Sequence, residues 1–219
     1  MGWVELLRDA GTGWKALNIA AGTGWCQLGV SGFENLLGYT EVDPNSHIGV
    51  TSARATGTSI AQDEDAYIYK SMGANYFDAL AIDFVINWTS QNYSECTVGL
   101  LCLANAVNDI TGHGATDFHV QVREDNTKYR LCLVRGSGTS TSGYDISENT
   151  SYYCTLSRVI GSDTVTLKIY SDESRSDLLN TQNVVGFGTA KWQYIYALCS
   201  YNAGNSRYQS VYCENIMIN

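Results

Sequence analysis

Apolar and polar residues alternate along most of this chain with a period of two, which is the period of a β-strand. In ALAIDFVINWT (residues 79–89), Asp83 and Asn87 lie on one face, and the other face is large and apolar: Leu80, Ile82, Phe84, Ile86 and Trp88. The segment CTVGLLCLANAV (96–107) is apolar at both sets of positions. We predict a half-buried strand for the first segment and a central strand covered on both faces for the second.

The stretch SYYCTLSRVIGSDTVTLKIYSD (151–172) predicts a hairpin that turns at Gly161-Ser162. One face then pairs apolar residues: Cys154 with Ile169, and Leu156 with Leu167. The other face pairs Tyr153 with Tyr170, Thr155 with Lys168, and Ser157 with Thr166. Because cross-strand aromatic and hydroxyl pairs stabilise sheets, this register is favourable on both faces.

A second hairpin is predicted in DFHVQVREDNTKYRLCLVR (117–135), with Asp125-Asn126 as a two-residue turn. That register places six apolar residues on one face, pairing Val122 with Tyr129, Val120 with Leu131, and Phe118 with Leu133. The opposite face pairs Gln121 with Arg130 and His119 with Cys132. A slip of one residue would destroy the apolar face.

About a dozen such strands, separated by turns rich in Gly, Ser, Asn and Asp, predict an all-β, two-sheet antiparallel jelly-roll sandwich. We expect a single domain over residues 1–219, in which residues 1–45 supply N-terminal strands and loops. Short strands are predicted near Trp25–Gln27 and Leu36–Tyr39. Residues 47–60 predict a strand followed by a polar loop.

Composition and charge narrow the classes of partner. The chain contains 15 Tyr, 21 Gly and 1 Pro, a composition that favours β-structure. Its net charge of -9 argues against nucleic acid as a partner. The sequence lacks an apolar run of the ~20 residues that span a bilayer, so we expect no membrane partner.

The N-terminal residues lack the pattern of a signal peptide, so we expect folding in a reducing cytoplasm. Seven cysteines, an odd number without a C-x-x-C pair, then predict buried free thiols.

Three stretches resemble the laminin-G-type pattern of the concanavalin A-like lectin/glucanase superfamily. They are ALAIDFVINW, ENTSYYCTLSRVIGSDTVTLKIYSD and the closing CENIMIN, and the resemblance covers residues 79–219. It implies two antiparallel sheets of six or seven strands and a glycan-binding outer sheet face. The composition also resembles that of bacteriophage tail and other viral-particle proteins, which implies a host-recognition module that could be assembled into a virion.

Catalytic patterns of this superfamily are incomplete here. The E-x-D-x-x-E spacing of its glucanases is absent. Polysaccharide lyases use a Gln-x-His strand with Arg and Tyr nearby, whereas this chain has His119 before Gln121. We therefore expect no catalytic residues and keep a lyase-like enzyme as the third hypothesis.

Acidic segments are interpreted as turns. QDEDA (62–66) predicts a solvated turn. SDESRSD (171–177) could gather Asp172, Glu173 and Asp177 around calcium, but an ordinary acidic hairpin end is favoured, so we expect no cofactor or metal.

A non-catalytic carbohydrate-binding module is the leading hypothesis, because sugars bind to aromatic rings and planar polar side chains. The predicted ligand-binding residues are Tyr153, Lys168 and Tyr170 on one hairpin and His119, Gln121 and Arg130 on the other. Trp192, Tyr194 and Tyr196 are further candidates. The alternative is a structural or assembly sandwich of a virion or fibre, in which the same faces would form a homo-oligomer.

Overall fold

The computed structural model describes residues 5–9, 13–17, 32–61, 64–91, 98–125, 128–136, 138–201 and 208–219. The strands are β1 (Glu5–Asp9), β2 (Gly13–Leu17), β3 (Thr40–Val42), β4 (Ile48–Val50), β5 (Arg54–Ala61), β6 (Tyr67–Ser71), β7 (Leu80–Gln91), β8 (Val98–Ala104), β9 (Phe118–Asp125), β10 (Lys128–Arg135), β11 (Thr139–Ser140), β12 (Tyr144–Asp145), β13 (Ser151–Arg158), β14 (Thr164–Tyr170), β15 (Leu178–Val185), β16 (Tyr194–Ser200) and β17 (Tyr208–Ile218). Two short 3-10 turns cover Leu36–Gly38 and Ile110–Gly112.

Two antiparallel sheets form the sandwich. The seven-stranded sheet has the order β15-β14-β13-β7-β17-β5-β4. The eight-stranded sheet has the order β11-β10-β9-β8-β16-β6-β3, and β12 also pairs with β10. β1 pairs with β2 as a separate two-stranded sheet. The predicted fold class, an all-β jelly-roll sandwich, is confirmed.

The alternating residues of each strand separate into a core face and an outer face, as the period of two requires. Leu80, Ile82, Phe84, Ile86 and Trp88 of β7 are all buried in the core between the sheets. Every residue of β8 is buried, which confirms the central, doubly covered strand. Burying each large apolar side chain stabilises the fold by about 1.5–3 kcal/mol.

The register predicted for residues 151–172 is confirmed. Tyr153 lies opposite Tyr170, and Leu156 lies opposite Leu167. Gly161 has a φ of 73°, a left-handed conformation that glycine adopts at little cost, and the turn is closed by Ser162 N donating to Val159 O at 2.9 Å.

The register predicted for the other hairpin is wrong by two residues. Asp125 pairs with Lys128, so Leu131 lies opposite Val122 and Arg130 lies opposite Arg123 rather than Gln121. Because side chains alternate with a period of two, this even shift leaves every side chain on its predicted face. The apolar pattern therefore predicted correctly which side chains face the core, although it did not predict which residues form the turn.

The free edge of β10 is closed by a side chain of the other sheet. Gln182 Nε2 donates to Leu131 O at 2.8 Å, and Leu133 N donates to Gln182 Oε1 at 2.9 Å. One buried amide thus satisfies a carbonyl and an N–H that lie between the short strands β11 and β12.

A buried arginine links the two sheets at one end of the sandwich. Arg158, at the end of β13, donates to Ser162 O at 2.8 Å and Gly188 O at 2.7 Å and packs 4.9 Å from the Trp192 ring. Trp192 immediately precedes β16 and donates from Nε1 to Thr116 O at 2.9 Å.

Some local predictions fail. Leu36–Gly38 is a 3-10 turn rather than a strand, because the Asn35 side chain accepts from Leu37 N and ends the extended conformation. Residues 54–61 form β5 rather than a polar loop, because β17 and β4 pair with it on its two sides. Glu64 is buried and accepts from Ala61 N at 2.7 Å, so it is not solvated. The strand predicted near Trp25–Gln27 lies outside the described residues.

The described cysteines agree with the prediction of buried free thiols: Cys102, Cys132, Cys154, Cys199 and Cys213. Cys26 and Cys96 lie outside the described residues. Within the part of the chain that the structure describes, no helix has the length and hydropathy needed to cross a membrane.

Candidate functional site

The six predicted ligand-binding residues lie on opposite sides of the sandwich. Tyr153, Lys168 and Tyr170 project from the outer face of the seven-stranded sheet, since their neighbours along β13 and β14 fill the core. His119, Gln121 and Arg130 project from the outer face of the eight-stranded sheet. The two hairpins therefore do not form one groove.

Polar groups on the outer face of the seven-stranded sheet bind one another. The Asp83 carboxylate accepts from Thr155 Oγ1 at 2.6 Å and from Asn219 Nδ2 at 3.2 Å, and it forms an ion pair with Arg175 Nε at 3.3 Å. Thr166 Oγ1 donates to Asn183 Oδ1 at 2.7 Å. This pattern is typical of a face whose polar groups bind one another and stabilise the sheet.

His119 is buried rather than presented to a ligand. Its side chain is only 2% exposed, and its Nε2 donates to Gln121 Oε1 at 2.9 Å. Burial lowers the pKa of His119 to about 4, so the imidazole is neutral at pH 7. Arg130 Nε binds Asp145 Oδ1 at 2.9 Å. A general base that takes a substrate proton must come within hydrogen-bond reach of it, which this burial prevents.

Four tyrosines form a contiguous aromatic surface on the same outer face. β6 supplies Tyr67 and Tyr69, and β16 supplies Tyr194 and Tyr196; we call these four residues the tyrosine platform. Tyr69 lies directly opposite Tyr196, with ring centroids 5.7 Å apart, and contacts Tyr194 at 5.9 Å. Tyr196 is fully buried and forms the base, while the other three rings are half-buried.

The loop of residues 105–117 packs against one side of the platform. The Tyr196 hydroxyl donates to Ala106 O at 2.7 Å and accepts from Asn108 N at 3.3 Å. The His113 ring lies 5.2 Å from the Tyr196 ring, and its Nε2 donates to Asn108 O at 3.1 Å. Burial lowers the pKa of His113 to about 4, so its ring is neutral at pH 7.

Gly99 of β8 makes room for this loop. A Cβ at position 99 would lie 2.9 Å from Cδ1 of the buried Ile110 and 2.7 Å from Cys102 Sγ. The missing side chain therefore lets Ile110 anchor the loop directly on the sheet.

A pair of carboxyl groups borders the platform. Asp109 is 4% exposed, and its Oδ1 accepts from Thr111 N at 2.6 Å and Gly112 N at 3.1 Å. The exposed Asp65 is a neighbour of this carboxyl group. Burial raises the pKa of Asp109, and the neighbouring Asp65 raises it further.

Tyr67 lies next to this carboxyl pair. Partial burial, with the negative charge of Asp65, raises the pKa of Tyr67 above its usual value. Tyr67 is therefore neutral at pH 7 and lies beside the negative charge of Asp65.

Among the residues that the structure describes, no three His, Cys, Asp or Glu side chains are placed to hold a metal ion. In the 171–177 loop, Asp172 accepts from Ser176 N at 3.0 Å and Asp177 N at 2.7 Å. This carboxylate closes the turn, as the interpretation of an acidic hairpin end predicts.

Solved structures with a similar fold include a protein of unknown function from Saccharomyces cerevisiae. It has 8% sequence identity and a TM-score of 0.55 over 84% of this chain and 97% of that one. The Ca2+/Man2-bound exoplasmic/lumenal domain of VIP36 has 11% identity and a TM-score of 0.51 over 85% of this chain and 88% of that one. These similarities agree with the fold described above, a two-sheet antiparallel β-sandwich.

At these identities the similarity establishes the fold and leaves the function to be argued from the site. No protein-family model matches the sequence, and no curated protein matches it.

Sequence reasoning missed Tyr67, Tyr69, Asp65 and Asp109, and it placed only Tyr194 and Tyr196 among the further candidates. A usable signal was present: the tripeptide Tyr-Ile-Tyr occurs at 67–69 and again at 194–196. In both copies the isoleucine enters the core and the tyrosines face outward. Trp192, the remaining candidate, is fully buried in the core.

Proposed function

We propose that this protein is a non-catalytic carbohydrate-binding module and that the tyrosine platform is its binding surface. The observation that carries the proposal is the array of three half-buried tyrosine rings on one outer face. The flat C–H face of a pyranose packs against such rings, and neighbouring polar side chains bind its hydroxyl groups. The VIP36 domain, of similar fold, was solved with bound Man2.

The experiment is a glycan-array screen, followed by calorimetric titration of the best-binding oligosaccharide. We expect Tyr69→Ala and Tyr194→Ala to weaken binding by about tenfold each, because each removes a contact ring. Tyr153→Ala and Tyr170→Ala are matched controls, since they remove equivalent rings from the opposite face.

The expectation that Tyr153, Lys168 and Tyr170 contact a ligand stays a prediction, and these controls test it. If Tyr153→Ala or Tyr170→Ala weakened glycan binding while Tyr69→Ala had no effect, the binding surface would lie on the seven-stranded sheet instead. An array without any binder would contradict the proposal itself.

The narrower hypothesis, host recognition within a viral particle, rests on the amino-acid composition. Neither the fold nor the structural similarities support a role in a viral particle, so the proposed function does not include this role.

Assembly into a homo-oligomer is the second candidate function. It is favoured by three exposed apolar side chains at one end of the seven-stranded sheet: Val159 (77% exposed), Ile160 (70%) and Val185 (59%). Val185 lies opposite Thr164, which follows the turn that contains Val159 and Ile160. Exposed apolar patches of this kind often mark protein–protein contacts.

A further inference from the structure

The charges around the tyrosine platform restrict the class of sugar that it can take. Asp65 is exposed and lies two residues before Tyr67, where its negative charge acts on the Tyr67 hydroxyl group. Both histidines near the platform, His113 and His119, are neutral at pH 7.

The cationic side chains that β9 and β10 carry on this outer face lie away from the platform. Lys128 and Arg130 belong to β10 and bind the Asp145 carboxylate at 2.5 and 2.9 Å. Arg123, on β9, donates to Ser140 Oγ at 3.2 Å. β8 lies between β9 and β16, so these cations are separated from the platform by at least one strand.

Lys70 is the basic residue of β6, and it is directed elsewhere. Its Nζ binds Glu34 at 2.6 Å and lies 5.8 Å from the ring of the buried Tyr39. The net charge of -9 adds a long-range field of the same sign as the carboxyl pair. An anionic glycan would therefore be repelled from the platform, whereas a cation would be attracted.

We infer that the tyrosine platform takes a sugar that carries a free amino group, a residue of the glucosamine or galactosamine type. This inference rests on the proposed function and names its ligand class. An ammonium group is stabilised both by the face of a tyrosine ring and by an adjacent carboxylate. The same surface disfavours uronates and sulfated sugars, because they would bring a second negative charge to Asp65.

The test compares three oligosaccharides by calorimetric titration at a pH below the pKa of the amine. The probes are a glucosamine tetramer, the N-acetylglucosamine tetramer and a tetramer of galacturonate. The first two share one backbone and differ in the charge of the amine. We expect the glucosamine tetramer to bind about tenfold more tightly than the acetylated one, and the uronate more weakly than both.

Asp65→Asn should reduce the affinity for the glucosamine tetramer about tenfold, to the level of the acetylated one, since it removes the exposed charge. Asp65→Glu should keep the preference. Glu173→Gln, which removes an exposed carboxylate outside the platform, is the matched control and should change nothing. Thermal unfolding of each variant checks that the fold is retained.

Two results would overturn the inference, and they can be told apart. If the acetylated and the free amino sugars bound with equal affinity, and this binding still depended on Tyr69, the inference would be wrong. The proposed function would remain supported. Absence of binding to any glycan of the array or of this series would end both.

Discussion

Histidine 119 shows how burial decides what a residue can do. On sequence alone, His119 resembled a polar ligand-binding group on an outer face. In the structure His119 is buried, and both its Cβ and the Ile110 side chain of the 105–117 loop lie close to Gly99. Its hydrogen bond to Gln121 then fixes the neutral ring in place. The residue supports the surface beside the platform rather than contacting a ligand.

The lowered pKa of His119 predicts a loss of stability in acid. The unfolded chain takes up a proton near pH 6.5, whereas the folded protein resists it until about pH 4. The free energy of unfolding should therefore fall as pH drops through this window and level off below it. For one fully buried histidine, the loss is about 3 kcal/mol.

The measurement is chemical unfolding of the protein and of His119→Gln between pH 7 and pH 4. The variant should lose a smaller part of its stability across the window, with His113 accounting for part of what remains. His47→Gln, which removes a half-exposed histidine, is the control. Parallel stability curves for the protein and His119→Gln would contradict the prediction.

At the scale of elements, packing between a strand and a loop shapes the site. In β8, Gly99 is where the 105–117 loop packs on the sheet, since a Cβ at this position would lie 2.9 Å from Ile110 Cδ1. Because a glycine has no Cβ, the loop can lie on the sheet and hold Tyr196 through its hydroxyl group. The shape of the platform therefore depends on a residue that touches no ligand.

Gly99→Ala should displace this loop. The new Cβ would lie 2.7 Å from Cys102 Sγ, 2.9 Å from Ile110 Cδ1 and 3.2 Å from His119 Cβ, so the neighbours must shift. We expect a loss of about 1–3 kcal/mol in the free energy of unfolding, together with weaker glycan binding.

Gly49→Ala is the matched control for urea unfolding. Gly49 is also a strand glycine, but a Cβ there would meet nothing closer than Thr56 O at 4.0 Å. Its stability should change by less than about 0.5 kcal/mol. If the two variants unfold alike, the loop does not depend on Gly99.

At the scale of the whole molecule, the sandwich places two tyrosine-bearing faces on opposite sides. In the sequence, the same alternating pattern made these two faces look alike. Tyrosine-bearing outer faces occur on both sheets, yet only the eight-stranded sheet brings its rings into mutual contact among the residues described. On the other sheet, Asp83 and its partners bind one another. A glycan surface and a subunit contact can therefore occupy different parts of the protein.

If the apolar end of the seven-stranded sheet is a subunit contact, light scattering should detect a dimer or larger assembly. Replacing both Val159 and Ile160 by serine should then give a monomer, because burying these side chains drives association. Leu178→Ser is the control, since it removes another exposed apolar residue of β15 at its opposite end. A monomer at all protein concentrations would contradict the assembly function.

The sequence by itself determined the fold class and the faces of the strands. The alternation in β7, the doubly apolar β8 and the register of β13 with β14 all follow from the period of two, which is a local property. Even the register error in the β9–β10 hairpin preserved the faces, because the error was an even number of residues.

Only the tertiary structure decided which outer-face residues meet. Tyr67 and Tyr196 are 129 positions apart, and the pairing of β6 with β16 brings them together. Asp65 and Asp109 are also distant in sequence, and the path of the 105–117 loop makes them neighbours. Burial of His119 was equally hidden, since it depends on what packs above the strand. Local periodicity determines which face of the sheet each side chain points to, whereas strand order and loop packing determine which side chains it contacts. A binding surface depends on those contacts between residues distant in sequence.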